Sequence, residues 1–290
     1  GDAGAAAPGH WLINSILSIV GGFLISRWHG FMLNHNSRRL TCAYIFGFAA
    51  VLCFVCSIMI STANVGLRER QEINKVLDKQ KSVLQAAWLV QPGEKVNRAR
   101  VEELFKNVRP RIIELSTGKV LEEVNADTFD EESLPSLPAP TNKAGIREIK
   151  EQVKIYEIME GDKVTMFVLP IVGKGLWSTM HGFLALDADT RTIRGLTYYD
   201  QAETPGLGGE VVNPKWKALW QGRLAYDENW SAKIAVIKGP AGPVEQNPYA
   251  VDGLSGATLT SRVVTNMLQF WLGENGFAPF LKSFRESGRA

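Results

Sequence analysis

The sequence predicts an α+β protein: an N-terminal transmembrane helix followed by a mixed, mainly antiparallel domain. Three observations carry that prediction. Residues 41–63 contain no charge and no proline, over a length that crosses the roughly 30 Å of bilayer hydrocarbon. From residue 153 onward, short runs rich in β-branched and aromatic residues are divided by turn signals such as Gly161-Asp162 and Asp187-Ala188-Asp189-Thr190, the pattern of antiparallel hairpins. A few amphipathic helical stretches are scattered among those runs rather than alternating with them, which separates α+β from parallel α/β architecture.

Size and composition narrow the function classes. The 290 residues suffice for an anchor and one core-bearing domain. A net charge of +2 gives no electrostatic case for nucleic acid, which needs a clustered basic face. Cys42, Cys53 and Cys56 all lie in or beside the apolar run and none follows it. Cys53-x-x-Cys56 has the spacing of a redox or metal pair, but on an apolar helix thiols act as small hydrophobes. The remainder of the chain cannot supply a four-cysteine iron–sulfur site, so redox chemistry there requires an organic cofactor. No Gly-x-Gly-x-x-Gly opens a helix after a strand, and NADH is not expected to bind this chain.

Taken in order, residues 1–40 form an extension whose apolar part, 11–26, falls short of the ~20 residues of a spanning helix. An interfacial segment, a tight span and a spurious extension all fit it. Arg38 and Arg39 precede the long apolar run at 41–65, which predicts a cytoplasmic start and an outer location for the bulk of the chain. Residues 66–96 read as a juxtamembrane helix with a stripe of Ile73, Val76, Leu77, Leu84 and Trp88. The domain is expected over 97–290. Asn97 is placed to cap a helix carrying Val101, Leu104, Phe105 and Val108, ended by Pro110. A strand is expected over 111–121. Residues 127–143 hold four acidic residues and Pro135, Pro138 and Pro140, which predicts an exposed loop. Further strands are expected at 154–159, 163–172, 182–187, 192–199 and 233–238. Asn213-Pro214 starts a helix bearing Trp216, Leu219 and Trp220.

Three segments draw chemical interest. In Asp252-Gly253-Leu254-Ser255-Gly256-Ala257-Thr258, a turn at Asp252-Gly253 leads into a helix with Leu259, Val263, Val264, Met267, Leu268 and Trp271 at helical spacing. Hydroxyls at a helix start serve either as plain caps or beside an anion that the free N–H groups and the dipole favour. Glu203-Thr204-Pro205-Gly206-Leu207-Gly208-Gly209 fits a solvent loop or a backbone surface laid against a planar ligand. Gly173-Lys174-Gly175-Leu176-Trp177 fits a turn with a core tryptophan, or a lysine beside an anion or ring. His181 with Ser255 raises a hydrolase reading, but Gly253-Leu254-Ser255-Gly256-Ala257 lacks the last glycine of a nucleophile elbow.

The run Asp252-x-x-Ser255-Gly256-Ala257-Thr258 resembles the signature of proteins that carry FMN through a phosphoester to threonine. With the two glycine segments and the helix end Ala63-Asn64-Val65-Gly66-Leu67-Arg68, the chain resembles the family formed by the C subunit of the sodium-translocating NADH:quinone reductase. The likeness runs from about Cys42 to near Phe284. It implies that Thr258 accepts FMN, that Asp252, Leu254, Ser255, Gly256 and Ala257 belong to the cofactor site, and that the N–H groups after Ser255 stabilise the phosphodiester. It also implies that Lys174, Leu176, Trp177, Glu203, Thr204, Gly206 and Leu207 approach the flavin. Family membership further implies a separate flavin transferase using FAD and a divalent metal. The setting it implies is a six-subunit complex in the bacterial inner membrane, with a single-pass anchor in the lipid bilayer and a periplasmic domain. Such a chain receives electrons from an iron–sulfur centre and passes them to another covalent FMN, and it binds no NADH, quinone or sodium alone. The G subunit of the related ion-pumping ferredoxin:NAD oxidoreductase shares the signature. A membrane-anchored assembly module, in which Ser-Gly-Ala-Thr is only a cap, is the reading from another class.

Overall fold

A computed structural model describes residues 38–287, apart from Pro92, Asp127 and Glu132. The expectations for residues 1–37, including the short apolar stretch at 11–26, lie outside the described residues. The described chain divides into two compact units, one ending at Glu69 and the other running from Arg70 onward.

The first unit carries an apolar helix. Helix α1, Arg38–Ala86, begins in this unit, and its part from Arg70 onward belongs to the second. Its segment Tyr44–Arg68 is long and apolar enough to cross a membrane, with a mean hydropathy of 2.3. Phe46, Phe54 and Ile60 are exposed there, as are Cys53 and Cys56, so no described residue of the unit covers this surface. The expected change from spanning to juxtamembrane helix produces no break, because no proline or helix-ending glycine motif interrupts the ladder. Only the last part of the predicted stripe is a packing face: Leu84 is fully buried, whereas Ile73 and Val76 are exposed.

The second unit is built on a five-stranded antiparallel sheet in the order β1-β4-β5-β6-β7. Its strands are β1 Val108–Glu114, β4 Gln152–Glu160, β5 Lys163–Lys174, β6 Thr179–Asp187 and β7 Ile193–Asp200. The Gly161-Asp162 and Asp187-Thr190 turns join β4 to β5 and β6 to β7, Gly161 at φ +63° and Thr190 at +59°. Asn97 caps helix α2, Arg98–Phe105, by accepting from the Arg100 amide at 2.9 Å. Val108 and Pro110 belong to β1 instead of ending that helix. Pro110 is tolerated because β1 is an edge strand. The strand expected over 111–121 stops at Glu114, and Val120 returns to bridge Ile113. The acidic loop contains a short exposed strand, β2 Ser136–Pro138, paired with β3 Glu148–Lys150. It is not wholly solvated: burial raises the Glu131 carboxyl, against the opposing pull of Lys79, Lys154 and Lys150.

Both faces of the sheet are covered, so its central strands are apolar on alternate sides without a polar face. On one face Phe167, Leu169, Ile171, Leu184 and Leu186 meet helices α4, Thr258–Trp271, and α5, Ala278–Glu286. Phe167 takes the ring edges of Phe280 and Phe284 at 5.4 and 4.6 Å. On the other, Tyr156, Val168, Phe183 and Ala185 lie under Val83, Leu84 and Ala86 at the α1 end and Ala87 just beyond it. Helix α3, Pro214–Ala218, starts at Asn213, whose side chain accepts from the Lys215 amide. The strand expected at 233–238 shrinks to β8, Ala235–Val236, and pairs in parallel with β9, Ala250–Val251. That short pair delivers the chain to the start of α4.

Candidate functional site

Thr258 is the first residue of α4 and is exposed. The residue in the cap position is Ala257, and no side chain caps the helix. Neither the Ser255 nor the Thr258 hydroxyl has a hydrogen-bond partner among the described residues. The plain-cap reading of these hydroxyls is therefore incorrect. The loop is stitched instead by Ser261, whose Oγ accepts from the Leu254 amide and donates to the Ala257 carbonyl, each at 3.1 Å. The turn also lies later than expected, at Ser255-Gly256, with Gly256 at φ +70°. A left-handed residue there favours glycine. The first turn of α4 thus presents free amide donors and the positive end of the dipole beside an exposed alcohol.

Two clefts meet at Thr258. The larger, about 640 Å³, is lined by Asp252, Leu254, Ser255, Gly256 and Thr258 on one side and by residues 236–240 on the other. Asp252 helps shape it: its Oδ1 accepts from the Ala241 amide at 2.8 Å, and its carbonyl accepts from Trp216 Nε1 at 2.9 Å. The smaller cleft, about 220 Å³, is lined by Leu176, Glu203, Thr204, Leu207, Gly208, Gly256, Ala257 and Thr258 among others. Leu176, Leu207 and Leu259 are exposed at its rim. The periodicity puts Leu259 on the packed stripe of α4, but it faces outward one residue beyond Thr258, while Val264, Met267, Leu268 and Trp271 are buried.

Glu203 holds the three glycine-rich and hydroxyl-rich segments together. It is 4% exposed. Its Oε1 accepts from the amides of Leu176 and Trp177 at 2.8 and 3.3 Å, and its Oε2 accepts from Thr260 Oγ1 at 2.7 Å. One carboxylate thereby satisfies the β5–β6 hairpin tip and the first turn of α4 at once, which is what burying a charge requires. The neighbouring glycines follow from that. A Cβ at Gly175 would lie 2.6 Å from Glu203 Oε1, and one at Gly208 would lie 2.5 Å from Thr260 Oγ1. Gly256 likewise leaves room for Leu207, whose Cδ2 would be 2.8 Å from an added Cβ.

Not every residue expected at the site gathers here. Lys174 and Trp177 line a separate groove with Gly145, Ile146 and Arg147, and Trp177 is 73% exposed there instead of buried in the core. Gly206 sits on the loop at φ +76° with open space around it. His181 lies beside Tyr199, ring centroids 6.1 Å apart. No hydrogen bond joins it to Ser255 among the described residues. Lys238 and Arg262, which belong to none of the three segments singled out by their motifs, both line the larger cleft. The i, i+4 spacing of Thr258 and Arg262 is the signal that the sequence offered for the second of them.

Residues 175–273 match the family model described as an FMN-binding domain. The C subunit of the Na(+)-translocating NADH-quinone reductase of Yersinia pestis is 44% identical over 246 residues, covering 81% of this chain and 90% of that protein. The chain belongs to this C-subunit family. Another member, from Vibrio vulnificus strain YJ016, is 41% identical over 89% of this chain and 99% of its own length. The Pseudomonas aeruginosa member is 39% identical over 82% and 94%. The crystal structure of Shewanella oneidensis NqrC superposes with a TM-score of 0.65 at 33% identity, covering 73% of this chain and 99% of that one. The corresponding protein from Parabacteroides distasonis, at 24% identity and a TM-score of 0.55, shares the fold. The family match spans Leu176, Glu203, Leu207 and Thr258, so the smaller cleft and the carboxylate that joins its walls belong to the matched domain, as do the residues lining the larger one.

Proposed function

We propose that this chain is the electron-carrying subunit of a sodium-pumping NADH-quinone reductase and holds FMN as a phosphoester on Thr258. The observation that carries the reading is an exposed threonine hydroxyl on an uncapped helix start, set between two clefts. A phosphodiester at that oxygen sits where free amides and the helix dipole favour negative charge. The apolar rim of Leu176, Leu207 and Leu259 suits the face of a fused-ring heterocycle.

Thr258 is an unactivated alcohol, so attachment requires a flavin transferase. The Thr258 Oγ would attack the flavin-side phosphorus of FAD and form the new P–O bond. The anhydride bond would break, AMP would leave, and the hydroxyl proton would pass to a base on the transferase, assisted by that enzyme's divalent metal. Once bound, the isoalloxazine supplies electron transfer. The chain's own contribution is positional. Glu203 fixes the hairpin tip against α4, Leu207 lies on Gly256, and Asp252 holds the far wall of the larger cleft. Within a six-subunit complex the chain takes electrons from an iron–sulfur centre and passes them to another covalent FMN. Tyr44–Arg68 anchors it in the inner membrane in a single pass, with Arg38 and Arg39 on the cytoplasmic side and the domain in the periplasm.

The reading is tested by flavin fluorescence in a denaturing gel of chain co-expressed with the transferase. The wild type is expected to fluoresce and Thr258→Val to be dark. Fluorescence retained by Thr258→Val would remove Thr258 as acceptor.

A further inference from the structure

The larger cleft holds a pair of cations that the smaller cleft lacks. Lys238, just beyond β8, and Arg262, one helical turn after Thr258, line it together with Thr258 itself. Both cations are exposed, and neither has a carboxylate within 4.0 Å among the described residues. Arg98, Arg100 and Arg194, by contrast, rest on Glu102, Glu103 and Asp187 at 2.6 to 2.8 Å. Asp252 is the one carboxylate among the residues lining this cleft, and its Oδ1 is engaged by the Ala241 amide. The cleft therefore holds two cations against one carboxylate at the mouth of an uncapped helix. The apolar residues Leu176 and Leu207 are on the other side, in the smaller cleft.

We infer that Lys238 and Arg262 are the phosphate-binding pair of this site: they receive the phosphate of FMN in the larger cleft and thereby direct the ring toward Leu176 and Leu207. The inference rests on the proposed FMN attachment and adds to it a division of labour between the clefts. Arg262, four residues after Thr258, shares its helix face and offers a fork of donors to phosphate oxygens. Lys238 approaches from the opposite wall as a point charge. Before attachment the same pair holds the phosphate beside the nucleophile; afterwards it neutralises the diester.

The test uses the full chain in detergent, produced without the transferase, titrated separately with FMN and with riboflavin, which lacks the phosphate. The wild type is expected to prefer FMN. The double variant Lys238→Ala/Arg262→Ala should lose that preference by about tenfold or more, as expected for two charge-assisted contacts, with riboflavin affinity unchanged. Lys238→Arg/Arg262→Lys should keep it. With transferase and FAD, the double variant should gain flavin mass more slowly than wild type. An unchanged FMN preference and loading rate in the double variant would overturn the inference and leave the carrier reading standing. So would a parallel loss of riboflavin binding. A wild-type chain that takes up no covalent flavin would overturn the carrier reading itself.

Discussion

Glu203 shows at the scale of a single residue how the candidate site is held. Its carboxylate serves two amides and one hydroxyl in a buried setting. Glu203→Ala is predicted to destabilise the domain by roughly 2–4 kcal/mol, since the buried Thr260 hydroxyl and two part-buried amides lose their acceptor. Glu203→Gln, which keeps an acceptor for the amides, should cost less than half as much; urea unfolding followed by tryptophan fluorescence checks both. Lys217 is the opposite case, a 4% exposed cation that among the described residues meets only the neutral oxygens of Thr197 and Gln85. Burial pulls its amine down from 10.5 to about 8. Below pH 8 both folded and unfolded states are protonated and the penalty is at its full value. Between about pH 8 and 10.5 the unfolded chain holds a proton that the folded chain has released, so stability rises with pH across that window. Lys217→Met is predicted to gain on the order of 2–3 kcal/mol at pH 7 and to flatten that rise; thermal midpoints measured at pH 7, 9 and 10.5 give the answer. Thr258 was legible from its motif. The partnership of Glu203 with Thr260 was not, because 57 residues separate them and no local pattern records which distant hydroxyl a carboxylate will meet.

At the scale of elements, the glycine-rich loop divides into residues set by packing and residues set by backbone conformation. Gly208→Ala drives a Cβ to 2.5 Å from Thr260 Oγ1 and 2.8 Å from Glu203 Oε2, and is predicted to cost roughly 1–3 kcal/mol and to slow flavin attachment. Gly206→Ala meets open space and pays only for φ +76°, about 1–2 kcal/mol, with attachment unaffected. Comparing unfolding midpoints with loading rates for the two variants separates the causes. The hairpins at Gly161-Asp162 and Asp187-Thr190 and the caps at Asn97 and Asn213 were legible because local chemistry dictates them. Pro110 misled because its meaning depends on whether its strand is an edge, which only the sheet order reveals. The parallel pairing of Ala235–Val236 with Ala250–Val251 was hidden for a similar reason: two residues carry no periodicity.

For the whole molecule, the apolar surface of Tyr44–Arg68, uncovered among the described residues, and the sheet domain assign different solvents to different parts of one chain. The anchored arrangement predicts that the chain stays in the membrane pellet after alkaline carbonate and is released by detergent. With the domain on the outer side, protease added to spheroplasts should digest it, and inside-out vesicles should protect it. Protection in spheroplasts would reverse the proposed orientation. The uncharged run was the plainest signal in the sequence. The unbroken continuation of its helix to Ala86 was not, because a stripe that is apolar in sequence need not be covered.

The most direct measurement is the mass of the proteolytic peptide containing Thr258, with fragmentation to locate any modification, from chain matured with its flavin transferase. The account predicts an added FMN less one water on Thr258 and none in Thr258→Val. An unmodified peptide from fully matured chain, or the same mass carried by Ser255 or Thr260, would contradict it.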